Sequence, residues 1–242
     1  MDLRVVRGGD GDRLLVLLHG LGATGDIFER WRPLLAEAWP GRWVAPDLPG
    51  HGGSPPLPSY SFEALAAAVA GLVDPDARTV VFGHSLGGVV GLLLQPVRAV
   101  VGLGIKVEWS ADELERARAL AKRPPVWYAS REEAAARYLR VSGLAGLVAA
   151  DDPAVDAGLR ERDGQWGLAM DAAAFAVGAP DMSGLLAGTG ATVVLARGAD
   201  DPMNTDDQLA RLGASTVTLP GLGHNAHVEN PEACLELLRP FA

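Results

Sequence analysis

A single cysteine, Cys234, excludes any disulfide within the chain. No segment approaches the roughly 18 consecutive apolar residues that a membrane span requires. Met1–Arg7 carries charges and no apolar stretch of signal-peptide length. A soluble, cytoplasmic protein with no membrane partner is therefore expected. Basic side chains are in deficit, 21 Lys and Arg against 30 Asp and Glu, giving a formal net charge of -9. Nucleic-acid binding, which needs clustered cations to meet phosphates, is not expected. The five histidines show neither H-x-x-x-H nor H-E-x-x-H spacing, so no metal site is expected. Internal repeats and low-complexity segments are also missing.

What is present is ordinary for a globular enzyme-sized chain: 242 residues, 48% hydrophobic and 21% charged. Short apolar β-prone runs recur at Leu3–Val6, Leu14–Leu18, Trp43–Ala45, Thr79–Phe82, Ala99–Ile105, Thr192–Ala196 and Thr216–Leu219. Helix-like stretches separate most of them, at Ile27–Trp39, Phe62–Val73, Leu86–Leu94, Thr205–Leu212 and Pro231–Leu238. Runs such as Leu14-Leu15-Val16-Leu17-Leu18 are apolar without alternation, which is how strands buried on both faces of a parallel sheet read. Strand–helix alternation predicts an α/β fold with a doubly wound, mostly parallel sheet.

The alternation breaks between about Val107 and Gly188. This stretch has no convincing strand and several helix-like pieces, including Asp112–Lys122 and Arg131–Val141. Ser110 with Glu113 three residues on predicts a capping box. An insertion of about eighty residues is too long for a plain loop. It is expected to be a helical cap, residues 107–188, over the carboxyl edge of a core formed by 1–106 and 189–242, where ligands of open α/β folds bind.

The chemistry-bearing signal is Gly83-His84-Ser85-Leu86-Gly87. It lies between a predicted strand and a predicted helix, so Ser85 sits on a strand-to-helix turn with its hydroxyl at a helix amino end. A serine hydroxyl is a poor nucleophile without a base, and the base needs an orienting acid. Of the histidines, only His224 and His227 follow the final strand. His224 is in a glycine-rich loop, and His227 is expected to be structural or at the pocket edge. Asp200 and Asp201, just past another strand, both remain candidates for the acid. Serine, acid and base then follow one another in the chain, each just past a strand end, and parallel strands bring such ends to one edge.

From Leu14 to the carboxyl end the chain resembles the α/β-hydrolase superfamily. The matching pieces are Leu18-His19-Gly20-Leu21-Gly22, Asp47-Leu48-Pro49-Gly50-His51-Gly52-Gly53-Ser54, the elbow around Ser85, Gly198-Ala199-Asp200-Asp201-Pro202, and Gly223-His224 with His227 and Glu229-Asn230-Pro231. The resemblance selects Asp201 over Asp200 as acid and His224 as base. It implies an oxyanion hole from the backbone N–H groups of Leu21 and Leu86. His19 is expected to tie loops together, and the Asp47–Ser54 loop with His51 to be scaffold. The cap is expected between the sixth and seventh core strands. Two departures stand out. Only one strand precedes Leu14–Leu18, so the first edge strand of the sheet is expected to be missing. Lys106 and Glu108, expected to form an ion pair at the cap base, follow a strand after which some relatives place the acid, which makes Glu108 a fallback.

The expected function is cofactor-free cleavage of a carboxylic ester or related acyl bond through an acyl-enzyme, with a small-molecule acyl substrate. Hydrolysis of a C–C bond, lactone or thioester, perhydrolysis and acyl transfer use the same residues. A non-catalytic small-ligand receptor on this scaffold is the reading of a different class. Gly20, Trp109, Trp127, Tyr128, Trp166 and Phe175 are the candidates for the substrate pocket. Arg131, Arg137 and Arg140 are expected on a solvated helix face, although a cap arginine could hold a substrate carboxylate.

Overall fold

The apolar runs become the strands of a seven-stranded sheet in the computed structural model, which describes every residue except Pro75 and Ala77. In chain order the strands are β1 (Val5–Gly8), β2 (Arg13–Leu18), β3 (Gly41–Pro46), β4 (Thr79–His84), β5 (Ala99–Leu103), β6 (Leu159–Arg162), β7 (Gln165–Leu168), β8 (Thr192–Gly198) and β9 (Ser215–Leu219). The main sheet runs β1-β3-β2-β4-β5-β8-β9, while β6 and β7 form a separate pair. Only β1 is antiparallel to its neighbour; the other pairings in the main sheet are parallel.

Unalternating apolar strands are explained by where their side chains go. Leu15, Leu17, Phe82 and Val101 enter one core cluster, and Leu14, Val16, Leu18, Val81 and Val100 enter the other. Both faces of the sheet are therefore covered, which removes any need for a polar side chain at alternate positions. Helices α1 (Arg32–Ala38), α2 (Phe62–Val69) and α3 (Leu86–Leu93) fall within the predicted stretches. Two of those stretches are partly tighter than an α-helix: Gly25–Trp31 and Ala70–Leu72 are 3₁₀ turns.

The long insertion occupies the chain between β5 and β8. These are the fifth and sixth strands of the main sheet, not the sixth and seventh as expected, because the amino end contributes a single strand before β2. Its helices include α4 (Ala111–Ala121) and α5 (Arg131–Val141). The Ser110–Glu113 capping box is present, and the Ser130 hydroxyl accepts from the Glu133 N–H at 3.3 Å. The insertion is not purely helical, which corrects the sequence reading. β6 and β7 pair antiparallel around Asp163 and Gly164, whose φ values of 52° and 77° suit a two-residue hairpin turn. The Asp-Gly pair was the available signal. It was masked because Leu159-Arg160-Glu161-Arg162 has one apolar residue and no strand-like alternation. No helix among the described residues is long and apolar enough to cross a membrane.

Candidate active site

Four strand ends meet at one edge. The register aligns His84 at the end of β4 with Leu103 of β5, Leu103 with Ala196 of β8, and Gly198 with Leu219 of β9. Loops beyond those ends are stitched by backbone bonds: Ser85 N–H donates to Leu103 O at 2.8 Å, Gly104 N–H to Ala196 O at 2.8 Å, and Asp200 N–H to Leu222 O at 2.9 Å.

Ser85 sits at φ 49° and ψ −112°, a conformation rare for a residue with a side chain and costing on the order of 1–3 kcal/mol. The flanking glycines follow from crowding. A Cβ at Gly83 would strike the Gly87 backbone, and one at Gly87 would strike the Leu18 carbonyl. The turn thereby holds Ser85 immediately before α3, whose first N–H groups have no carbonyl within the helix to bond.

Asp201 is buried and Asp200 exposed, so only the former faces inward. Its Oδ2 lies 3.0 Å from His224 Nδ1, and its Oδ1 accepts from the Met203 N–H at 2.8 Å. Asp201 is thus the carboxylate bonded to His224. Nδ1–H donates to it, which leaves Nε2 as the free lone pair of the ring. Arg197, buried beneath this loop, donates to the carbonyls of Ala199 (2.9 Å) and Asp201 (3.1 Å) and pairs with Asp206 at 2.9 Å. No hydrogen bond joins the Ser85 hydroxyl to the His224 ring; such bonds commonly tighten only with substrate in place.

Glu108 is exposed and bonds Arg211 and Gln208, away from His224. The expected Lys106–Glu108 pair is not formed, since Lys106 reaches Glu113 at 3.1 Å instead. The capping box explains the exchange: it brings the Glu113 carboxylate back over the start of α4, next to Lys106.

The remaining histidines are buried and serve as ties. His19 Nδ1–H donates to Gly20 O and its Nε2 accepts from the Leu48 N–H, both at 2.8 Å. Burial lowers its pKa to about 4. His84 Nε2–H donates to the His224 carbonyl at 3.0 Å, and its ring lies 4.2 Å from that of His227. Burial, and then the proximity of His227 and His224, holds His84 well below the ordinary histidine range. Burial and then His224 lower His227 to about 3; burial and then His19 lower His51 to about 3. His227 also fixes Trp31, whose indole N–H donates to its carbonyl at 2.8 Å. The Asp47–Ser54 loop is scaffold: Asp47 accepts from the N–H groups of Gly25 (2.8 Å) and Gly53 (2.9 Å), and Ser54 Oγ donates to Asp47 O at 2.7 Å.

A cavity of about 70 Å³ opens onto Ser85. Leu21 and Leu86 line it, and the backbone N–H of each lacks a protein acceptor among the described residues. Gly20 lies against the same turn, since a Cβ there would sit 2.6 Å from His84 Nδ1 and 3.4 Å from Ser85 Cβ. Trp109 is the one predicted aromatic on the cavity wall.

The other predicted aromatics lie elsewhere. Trp127 faces the Arg160 guanidinium at 5.2 Å, Trp166 is bridged through its backbone to Tyr128, and Tyr128 and Phe175 line a separate cleft. The hairpin draws Trp127, Tyr128 and Trp166 to itself, which aromatic content alone could not reveal. Sequence reasoning missed Phe62, Val89, Val177 and Pro180 on the cavity wall. Val89 was within reach, one helical turn after Ser85. Among the described residues no three His, Cys, Asp or Glu side chains are grouped to hold a metal ion.

A parallel, doubly covered sheet with its inserted segment and these strand-end residues defines an α/β-hydrolase fold. The chain belongs to the alpha/beta hydrolase family, whose pattern matches residues 15–237. Among curated relatives, a pimeloyl-[acyl-carrier protein] methyl ester esterase of Neisseria meningitidis is 41% identical over 85 residues, 35% of this chain and 26% of that protein. Lipase LipV of Mycobacterium tuberculosis is 38% identical over 101 residues, 40% of this chain and 38% of that protein. The aligned regions thus span well under half the length of these relatives. Among solved structures, E-2-(acetamidomethylene)succinate hydrolase superposes with a TM-score of 0.82 at 23% identity, covering 99% of this chain and 94% of that one. The thioesterase domain from the curacin biosynthetic pathway gives 0.77 at 20% identity, covering 97% and 94%. At these identities the superpositions establish the fold.

Proposed function

We propose that this protein is a serine hydrolase of carboxylic esters or related acyl compounds, acting without a cofactor. The observation that carries the reading is the 3.0 Å Asp201–His224 bond at the same sheet edge as the strained Ser85. Names of relatives that act on esters, a methyl ester esterase and a lipase, support it.

In this reading Ser85 Oγ attacks the substrate carbonyl carbon while His224 Nε2 takes its proton, and Asp201 stabilises the imidazolium. The tetrahedral oxyanion is held by the Leu21 and Leu86 N–H groups, each contributing about 3 kcal/mol to transition-state stabilisation. Collapse breaks the bond to the leaving alkoxide, which takes the proton from His224 and departs as the alcohol. Water then adds to the acyl-enzyme, its proton going to His224 and on to Ser85 as the acid leaves. Residues 107–188 would act as a cap, closing the pocket with Trp109, above a core of 1–106 and 189–242.

The test is hydrolysis of a p-nitrophenyl ester series of rising acyl length by wild type and Ser85→Ala. Wild-type turnover should fall by about 10⁶-fold in the variant. A variant that keeps more than about a tenth of wild-type activity would remove Ser85 from the nucleophile role.

A further inference from the structure

Just over half of the arginines meet a carboxylate, among them Arg4, Arg30, Arg42, Arg131, Arg197 and Arg211. Arg123, Arg137 and Arg140 do not. No guanidinium of the three is in an ion pair or hydrogen bond with protein among the described residues, yet all three residues line one cleft of about 390 Å³. Among the described residues no Asp or Glu lines that cleft, although acids outnumber bases in the chain by 30 to 21. Glu133 lies one turn from Arg137 on α5, but its carboxylate is turned to the Ala129 N–H at 3.2 Å. Arg137 and Arg140, three residues apart, are neighbours on one helix face, an arrangement of like charge that disfavours the free helix. Apolar and aromatic residues, among them Tyr128, Leu168 and Phe175, complete the wall.

The cleft also lies beside the Ser85 cavity. Val141 lines the cleft, and its Cγ1 is 2.8 Å from the position a Gly22 Cβ would take; Leu21, the neighbour of Gly22, lines the cavity. Phe175 on the cleft wall is two residues from Val177 on the cavity wall. One substrate could therefore place its carbonyl at Ser85 and a remote group among the guanidiniums.

We propose that Arg123, Arg137 and Arg140 form an anion site selecting acyl substrates with a carboxylate or phosphate remote from the scissile bond. The inference rests on the hydrolase reading for its substrate and on the cleft alone for its ligand chemistry. Guanidinium groups match carboxylate and phosphate oxygens through paired N–H donors, and the apolar wall suits the chain connecting the two ends.

The experiment compares kcat/KM for p-nitrophenyl half-esters of linear dicarboxylic acids, succinate to sebacate, with matched uncharged p-nitrophenyl alkanoates. Wild type should prefer the charged ester by about tenfold or more at one optimal length. That preference should fall by about tenfold in Arg137→Gln/Arg140→Gln. It should persist in Arg116→Gln/Arg118→Gln, which removes the same charge from α4 outside the cleft. An unchanged preference in the first variant, or an equal loss in both, overturns the proposal.

If wild type cleaves no ester, the hydrolase reading fails, and calorimetric titration of Ser85→Ala with suberate and with octyl phosphate decides the anion site separately. Binding of either probe that weakens at least about tenfold on adding Arg137→Gln/Arg140→Gln upholds the site, and the tighter probe identifies the anion. Absent binding, or binding that the arginine changes leave intact, overturns it.

Discussion

The sheet edge and the inserted segment are built by opposite rules. At the edge, backbone geometry dictates residue identity. Ser85 holds a strained φ, Gly83 and Gly87 have no room for a Cβ, and Asp201 is fixed by its bonds to Met203 and His224. In the insertion, α4 has no fully buried residue, its amino end is capped by the Ser110 and Glu113 side chains, and the cleft walls are assembled from several elements. The edge tolerates little change and, in the proposed reading, carries the reaction. The outer helix α4 of the insertion is freer to vary, and in the same reading the insertion shapes what reaches the edge.

If that contrast holds, its largest effect is at the acid. Asp201→Asn should lower kcat by about 10⁴-fold, because the amide no longer fixes the His224 tautomer. Asp200→Asn, one residue away and exposed, should stay within about twofold of wild type. Steady-state kinetics on one ester would check both, and similar losses would break the distinction.

A second effect concerns packing. Gly87→Ala should destabilise the protein by about 3 kcal/mol or more, read by urea unfolding, because its Cβ meets the immovable Leu18 carbonyl. Ala119→Ser on the exposed face of α4 should cost less than about 1 kcal/mol.

The buried histidines give the edge a pH signature. His19 is lowered to about 4, and His51 and His227 to about 3, chiefly by burial. The unfolded chain then binds protons that the folded chain refuses. Stability is fully present above the ordinary histidine pKa of about 6.5 and falls as pH drops from there toward 4 and 3. The slope is at most about 1.4 kcal/mol per pH unit for each histidine. Urea midpoints that stay level from pH 7 to pH 4 would contradict it.

The smallest effect belongs to the insertion. Trp127→Phe, at the hairpin and facing Arg160, should change turnover of a short ester by less than about twofold. Trp109→Ala, on the cavity wall, should raise KM several-fold. Equal responses would mean that the hairpin acts on the Ser85 cavity.

The same contrast explains what could be read from the sequence alone. Strand ends were legible because unusual backbone needs leave unusual residues: glycines around Ser85, and Asp-Pro after β8. Both faces of the sheet were legible from apolar runs lacking alternation. The hairpin was not, because Arg160, Glu161 and Arg162 hide a strand stabilised by its partner and its turn. The cavity wall was not, because Phe62, Val89, Val177 and Pro180 come from separate elements and are chosen by docking, which no local pattern encodes. Lys106 and Glu108 show the same limit, since their neighbourhood in sequence says nothing of Glu113 and Arg211 waiting closer in space.

The central claim is that Ser85 is a nucleophile activated by His224 and Asp201. It is tested most directly by reacting the protein with a fluorophosphonate and mapping the modified peptide. The account predicts a single label on Ser85, formed at least about 10³-fold more slowly in His224→Gln. A label on another residue, or a rate on Ser85 that the His224 change leaves intact, would contradict it.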